Sequence, residues 1–198
     1  MHVDDHIVIV DKPSGLLSVP GRGADKATCA QSIASARHGA ALVVHRLDMD
    51  TSGIMVFARH PLAQRRLSQS FEARRTHKVY EALVEGEPNE SSGRIDLAIA
   101  RFSHQRPLRH LDPDGQSAVT HWRAISRHDA HTRLELVPET GRSHQLRLHL
   151  SAIGHPILGD PFYGNRSTAP RLCLHARLLE FPHPETGNPF AAETKTPF

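Results

Sequence analysis

Apolar positions fall along this chain in short runs cut by turn residues, and their period changes from one segment to the next. His6 to Val10 is a β-branched run that stops at Lys12-Pro13-Ser14-Gly15, as a strand does on entering a turn. Ile54 to Ala58 predicts a second strand. Lys78 to Glu85, Val119 to Ser126, Thr132 to Val137 and Leu172 to Leu179 are strand-like too, the last with Leu172, Leu174, Ala176 and Leu178 alternating at period two. Two segments have helical spacing instead. Pro61 to Arg74 opens on proline, places Leu67 and Phe71 four apart, and puts Arg65, Arg66, Arg74 and Arg75 on the remaining surface, a face suited to phosphate or simply to solvent. His144 to Ile153 has Ser143 to cap its start, Gly154 to end it, and Leu146, Leu150 and Ile153 as its buried stripe. Strands with few helices and no βαβ alternation predict an α+β protein with a mainly antiparallel sheet. Pro182 to Pro197, with four prolines, reads as a loosely structured tail.

Composition narrows the class. With 198 residues and 38% hydrophobic content the chain can bury one substantial core, and it shows no internal repeat or linker, so residues 1–198 read as a single domain. No run of about 18 apolar residues is present to span a membrane, and Met1-His2-Val3-Asp4-Asp5 lacks the basic and apolar regions of a signal peptide. A cytoplasmic protein without a membrane partner is expected. Cys29 and Cys173 are too few for a disulfide framework and are read as reduced packing residues. The net charge is a modest +3, but 20 of the 24 basic residues are arginine. Arginine grips phosphate bidentately and stacks on bases, which fits an RNA partner, although a GC-rich genome produces the same bias. His104, His110, His121, His128 and His131 stand among polar residues without thiolate or carboxylate company, so no metal site is expected from them.

The most telling stretch is His45-Arg46-Leu47-Asp48-Met49-Asp50-Thr51-Ser52-Gly53, a polar island between the apolar runs Ala41 to Val44 and Ile54 to Ala58. Polar groups sealed away unpaired cost roughly 2–7 kcal/mol, so a cation and two carboxylates at this place suggest a site. In isolation the same residues also suit a loop whose Asp and Ser merely bond their own backbone.

Other segments change that balance. The island resembles the H-R-L-D-x-x-T-S-G signature of the RluA-type pseudouridine synthases, and four further motifs follow the family's order. Asp11-Lys12-Pro13-Ser14-Gly15-Leu16-Leu17 is similar to its N/D-K-P-x-G-L segment, and Lys78-Val79-Tyr80 to its K-x-Y strand. Gly141-Arg142-Ser143-His144-Gln145-Leu146-Arg147-Leu148-His149 resembles its G-R-x-H-Q-x-R-x-H helix, and Gly154-His155-Pro156-Ile157-Leu158-Gly159-Asp160 its G-H-P-I-x-G-D loop. The run from Gly15 through Ser18, Pro20 and Arg22 looks most like the RluA subgroup, whose members modify a large-subunit ribosomal RNA stem-loop and the anticodon stem-loop of some tRNAs.

The resemblance implies the pseudouridine synthase fold, a long mixed sheet with flanking helices and a central active cleft, and a reaction that needs neither cofactor nor metal. It assigns Asp48 as the catalytic carboxylate, acting on C1′, on C6 of the base, or on the C2′ proton. Arg147 matches the cation that pairs with that carboxylate and keeps it ionised. Tyr80 matches the tyrosine that stacks on the target uracil and assists loss of the C5 proton. Arg46 is expected to enter the RNA stack in place of the extruded base. His45 is counted with the substrate-binding residues, Lys12 with bracing the cleft or touching phosphate, and Ile54 and Leu174 with the apolar walls. Asp50 falls at a variable position of the motif and receives no catalytic role. The expected partner is a structured RNA, the expected state a monomer, with no room for the separate N-terminal RNA-binding domain that the family often carries. Two other readings remain open at this point: a hydrolytic glycosidase using Asp48 with Asp50, and a catalytically silent RNA-binding module.

Overall fold

The computed structural model describes every residue except 22, 24, 25 and 103–106, so Arg22 and His104 lie outside the described residues. In chain order the elements are β1 (His2–Val3), β2 (Ile7–Lys12), α1 (Ala30–His38), β3 (Leu42–Val43), β4 (Ser52–Ala58), α2 (Pro61–Glu72), β5 (His77–Glu85), β6 (Ser92–Asp96), β7 (Ile99–Arg101), β8 (Arg109–Leu111), β9 (Val119–His128), β10 (His131–Pro138), α3 (Gln145–Ala152), β11 (Leu174–Pro182) and β12 (Pro189–Glu193). They gather into two compact units, Met1–Lys78 with His175–Pro197, and Val79–Leu174 with Phe198.

The first unit is a mixed sheet. β2 pairs antiparallel with β4, Ile7 opposite Ala58 and Lys12 opposite Gly53, while β11 runs parallel to β4 with His175 opposite Ser52. Flanked on both sides, β4 is buried at every position, which is why it reads as an unbroken apolar run. α2 packs Ala63 and Leu67 into a core with Ile7, Ile9, Ile54, Val56, Leu179 and Phe181. Burying Leu67 alone contributes about 1.5–3 kcal/mol. Pro61 opens α2 and the His60 ring accepts the Ala63 N–H, while Arg65, Arg66, Arg74 and Arg75 are exposed. The chain after Pro182 is not loose. His183 N–H donates to Asn188 O at 2.8 Å, and β12 then pairs antiparallel with β11, Phe190 opposite Phe181.

The second unit is antiparallel. β10 lies between β5 and β9, with Leu136 opposite Tyr80 on one side and Trp122 on the other; β6 adds to β9 and β7 pairs with β8. Ala82, Val84, Trp122, Leu134, Leu136, Leu146, Leu150, Ile157 and Leu172 share its core. α3 is buried from Gln145 to Leu150, so it is a core helix rather than one with a single wet face. Its start differs from the expectation: Ser143 does not cap it. His144 occupies the cap position at φ 58° without a side-chain cap bond, and Gln145 Oε1 accepts the Arg142 N–H at 3.0 Å instead. Gly154, at φ 84°, ends the helix as expected. The segment after it runs beside β5, with Glu85 N–H donating to Pro156 O and Leu158 N–H to Leu83 O, both at 2.9 Å.

The class is α+β with a mixed, mainly antiparallel arrangement, as the strand pattern predicts. Cys29 and Cys173 are buried and unbridged. No described helix is long and apolar enough to cross a membrane.

Candidate active site

The loop that carries Arg46 and Asp48 is held from below by the segment that follows β2. Ser18 Oγ donates to Leu47 O at 2.6 Å and accepts the Leu47 N–H at 3.1 Å. Gly15 N–H donates to Met49 O at 3.0 Å, and Ser14 Oγ to Asp50 O at 2.6 Å. Thr51 N–H closes the turn on Asp48 O at 3.2 Å. Residues on both sides of Asp48 are thereby fixed through their backbone, with Leu47 buried, Asp48 half-buried and Arg46 exposed. The glycine of the motif has its own reason. Gly53 sits at φ 116°, where a Cβ would stand 2.3 Å from Ala176 O across the β4–β11 pair.

Lys12 takes the bracing role that was one of its two expectations, and His45 uses Nε2 within this unit. Lys12 is 1% exposed, and its Nζ donates to Leu16 O at 2.7 Å, Met49 O at 2.9 Å and Pro13 O at 3.0 Å, so it braces the Asp48 loop and is sealed from phosphate. His45 Nε2 accepts the Val56 N–H at 3.1 Å while its ring stacks on Phe71 at 4.7 Å. Burial, with the nearby Lys78 charge, pushes its pKa down to about 3, so the ring is neutral. Burial and the charge of Arg74 likewise hold Lys78 below the usual lysine value. Ile54 is packed in the core of the first unit.

In the second unit Arg147 is 2% exposed, deeper than the edge position its place beside Leu146 suggests. Its Nε donates to Asp160 Oδ2 at 2.7 Å and its Nη2 to Asp160 Oδ1 at 2.6 Å, a bidentate pair with a fully buried carboxylate. Burial alone would raise the Asp160 pKa, but the Arg147 hydrogen bonds and charge, with the Phe162 and Tyr163 N–H groups, hold it below the usual range. Asp160 received no role from sequence reasoning, although it closes a recognised motif. The signal was a carboxylate ending one motif beside an arginine within another. Gly159 before it is required by contact: at φ 72° its Cβ would lie 2.0 Å from Arg171 O. Gln145 and His149 of the helix motif are structural. Gln145 Nε2 donates to Val119 O at 2.9 Å, and His149 Nε2 donates to Leu97 O at 2.9 Å with Nδ1 3.0 Å from Thr120 Oγ1. Tyr80 is half-buried on β5, and Leu174 is packed in this unit's core.

The sequence model of the RNA pseudouridylate synthase family matches residues 6–152. The chain belongs to that family. The Dual-specificity RNA pseudouridine synthase RluA of Pasteurella multocida (strain Pm70) is 44% identical to it over 191 residues, 94% of this chain and 87% of the relative. The protein of the same name from Escherichia coli (strain K12) is 43% identical over 193 residues, 95% of this chain and 88% of that one. Among solved structures, Human RNA Pseudouridylate Synthase Domain Containing 1 matches with a TM-score of 0.85 at 27% identity, over 100% of this chain and 82% of its own.

The chain is thus an RNA pseudouridine synthase, an isomerase, and these relatives favour neither the glycosidase nor the silent binding module. A pseudouridine synthase breaks the N1–C1′ bond of uridine, joins C5 to C1′ and transfers the C5 proton to N1, with no net oxidation. That chemistry depends on placement more than on an external reagent.

Proposed function

We propose that this pseudouridine synthase isomerises uridines in the stem-loops of large-subunit ribosomal RNA, tRNA anticodon arms, or both. It acts as a cytoplasmic monomer whose residues 1–198 work as one catalytic domain. Asp48 is the catalytic carboxylate, Arg147 the cation that keeps it ionised, and Tyr80 the ring against the target uracil. Arg46 takes the place of the extruded base. The supporting observation is the loop itself: Lys12, Ser14, Gly15 and Ser18 hold its backbone from Leu47 to Asp50, while the Arg46 side chain is left in solvent. Such a loop loses little entropy on meeting substrate. Mapping pseudouridines in total RNA from cells with and without the gene tests the target. Loss of sites confined to ribosomal RNA and tRNA stem-loops is the expected result; loss confined to unpaired messenger RNA would contradict it.

A further inference from the structure

Phe162 projects from the loop that carries Asp160 and is 42% exposed, yet its position is fixed. Its N–H donates to Asp160 Oδ1 at 2.8 Å. The guanidinium carbon of the buried Arg147 lies 5.0 Å from its ring centroid, and the His144 imidazole stacks on it at 5.6 Å with 18° between planes. His144 is itself anchored, its Nδ1 2.9 Å from the Tyr163 hydroxyl, whose oxygen accepts the Arg109 N–H at 2.9 Å.

A large ring left partly in water forgoes part of the free energy of burial, and here the neighbouring groups hold the ring in place while leaving 42% of the residue exposed. A rigid exposed ring backed by a cation is a stacking surface that pays little ordering entropy when a planar partner arrives. RNA brings planar partners of that kind, and every base has a face that stacks. On the reading above the target uracil already has Tyr80, so the partner of Phe162 is another base.

We propose that Phe162 is a stacking platform for a nucleobase of the RNA substrate other than the isomerised uridine. This rests on the reading that Asp48 and Arg147 serve the reaction. Because stacking is indifferent to base identity, any base is accepted at that position and an abasic site is not.

The test is an abasic scan. The affinity of the Asp48→Asn protein is measured by fluorescence anisotropy for a stem-loop that the wild-type protein isomerises, and for copies with one abasic position stepped through the loop. One position should weaken binding by about 5- to 100-fold. Adding Phe162→Leu should weaken the intact RNA by a similar factor and make that abasic site cost nothing more, and Phe162→Trp should restore the dependence. An absence of coupling at every position would overturn the proposal. So would a Phe162→Leu protein with unchanged affinity but slower turnover when Asp48 is intact, because the ring would then only shield Arg147. Pseudouridine formed by the Asp48→Asn protein contradicts the catalytic reading alone; the coupling is read from binding and stands or falls separately.

Discussion

A lysine ammonium sealed from water is tolerated only where acceptors replace its hydration, and Lys12 finds them in Pro13, Leu16 and Met49. Lys12→Met keeps the length of the side chain and removes all three bonds, stranding carbonyls on both segments that frame Asp48. The expected loss is about 2–4 kcal/mol in urea unfolding, with a larger fall in turnover than in RNA affinity. His45 makes a different prediction. Its folded pKa of about 3 lies below the ordinary 6.5, so between those values the unfolded chain holds a proton that the folded chain does not. Stability is therefore full above pH 6.5 and falls as pH drops, by up to about 1.4 kcal/mol per pH unit. His149, also lowered by burial, adds to the slope. Urea unfolding between pH 7 and pH 5 should show a flatter slope for His45→Gln than for the wild-type protein.

At the scale of elements, the parallel contact of β4 with β11 depends on a missing side chain. Gly53→Ala forces a methyl group into Ala176 O at a backbone angle that suits glycine, and a loss of about 3 kcal/mol or more is expected in thermal unfolding. Strands such as β2, β4 and β10 were legible because apolar runs or alternation carry them, and α2 because Leu67 and Phe71 mark one face. α1 was not, since its buried side is made of Ala30 and Ala34, too small to leave a stripe. β12 was missed because it opens on a proline, although Pro189 and Pro182 stand opposite each other at the turn end of the hairpin. Within the site, motif resemblance pointed to Asp48 and Arg147. It offered bracing as one of two roles for Lys12, but it could not reveal that His45 accepts the Val56 N–H or that Asp160 grips Arg147, because those are facts of side-chain geometry.

At the scale of the whole molecule, the motifs divide between the two units. Asp48 and Arg46 stand in the first with the segment that braces their loop, and Tyr80, Arg147 and Asp160 stand in the second, each placed by its own local contacts. Arg46, Arg65, Arg74 and Arg75 are exposed, and on the proposed reading any phosphate contacts they make carry affinity rather than chemistry. The two contributions can be separated at one atom. Asp48→Asn keeps the loop, its backbone bonds and the arginines, and removes only the carboxylate. Pseudouridine formation and RNA affinity are measured side by side for both proteins on one short stem-loop, in single turnover at saturating enzyme. No detectable pseudouridine with affinity within about threefold of the wild-type protein is predicted; product formed by the variant at a measurable rate would contradict the assignment of Asp48.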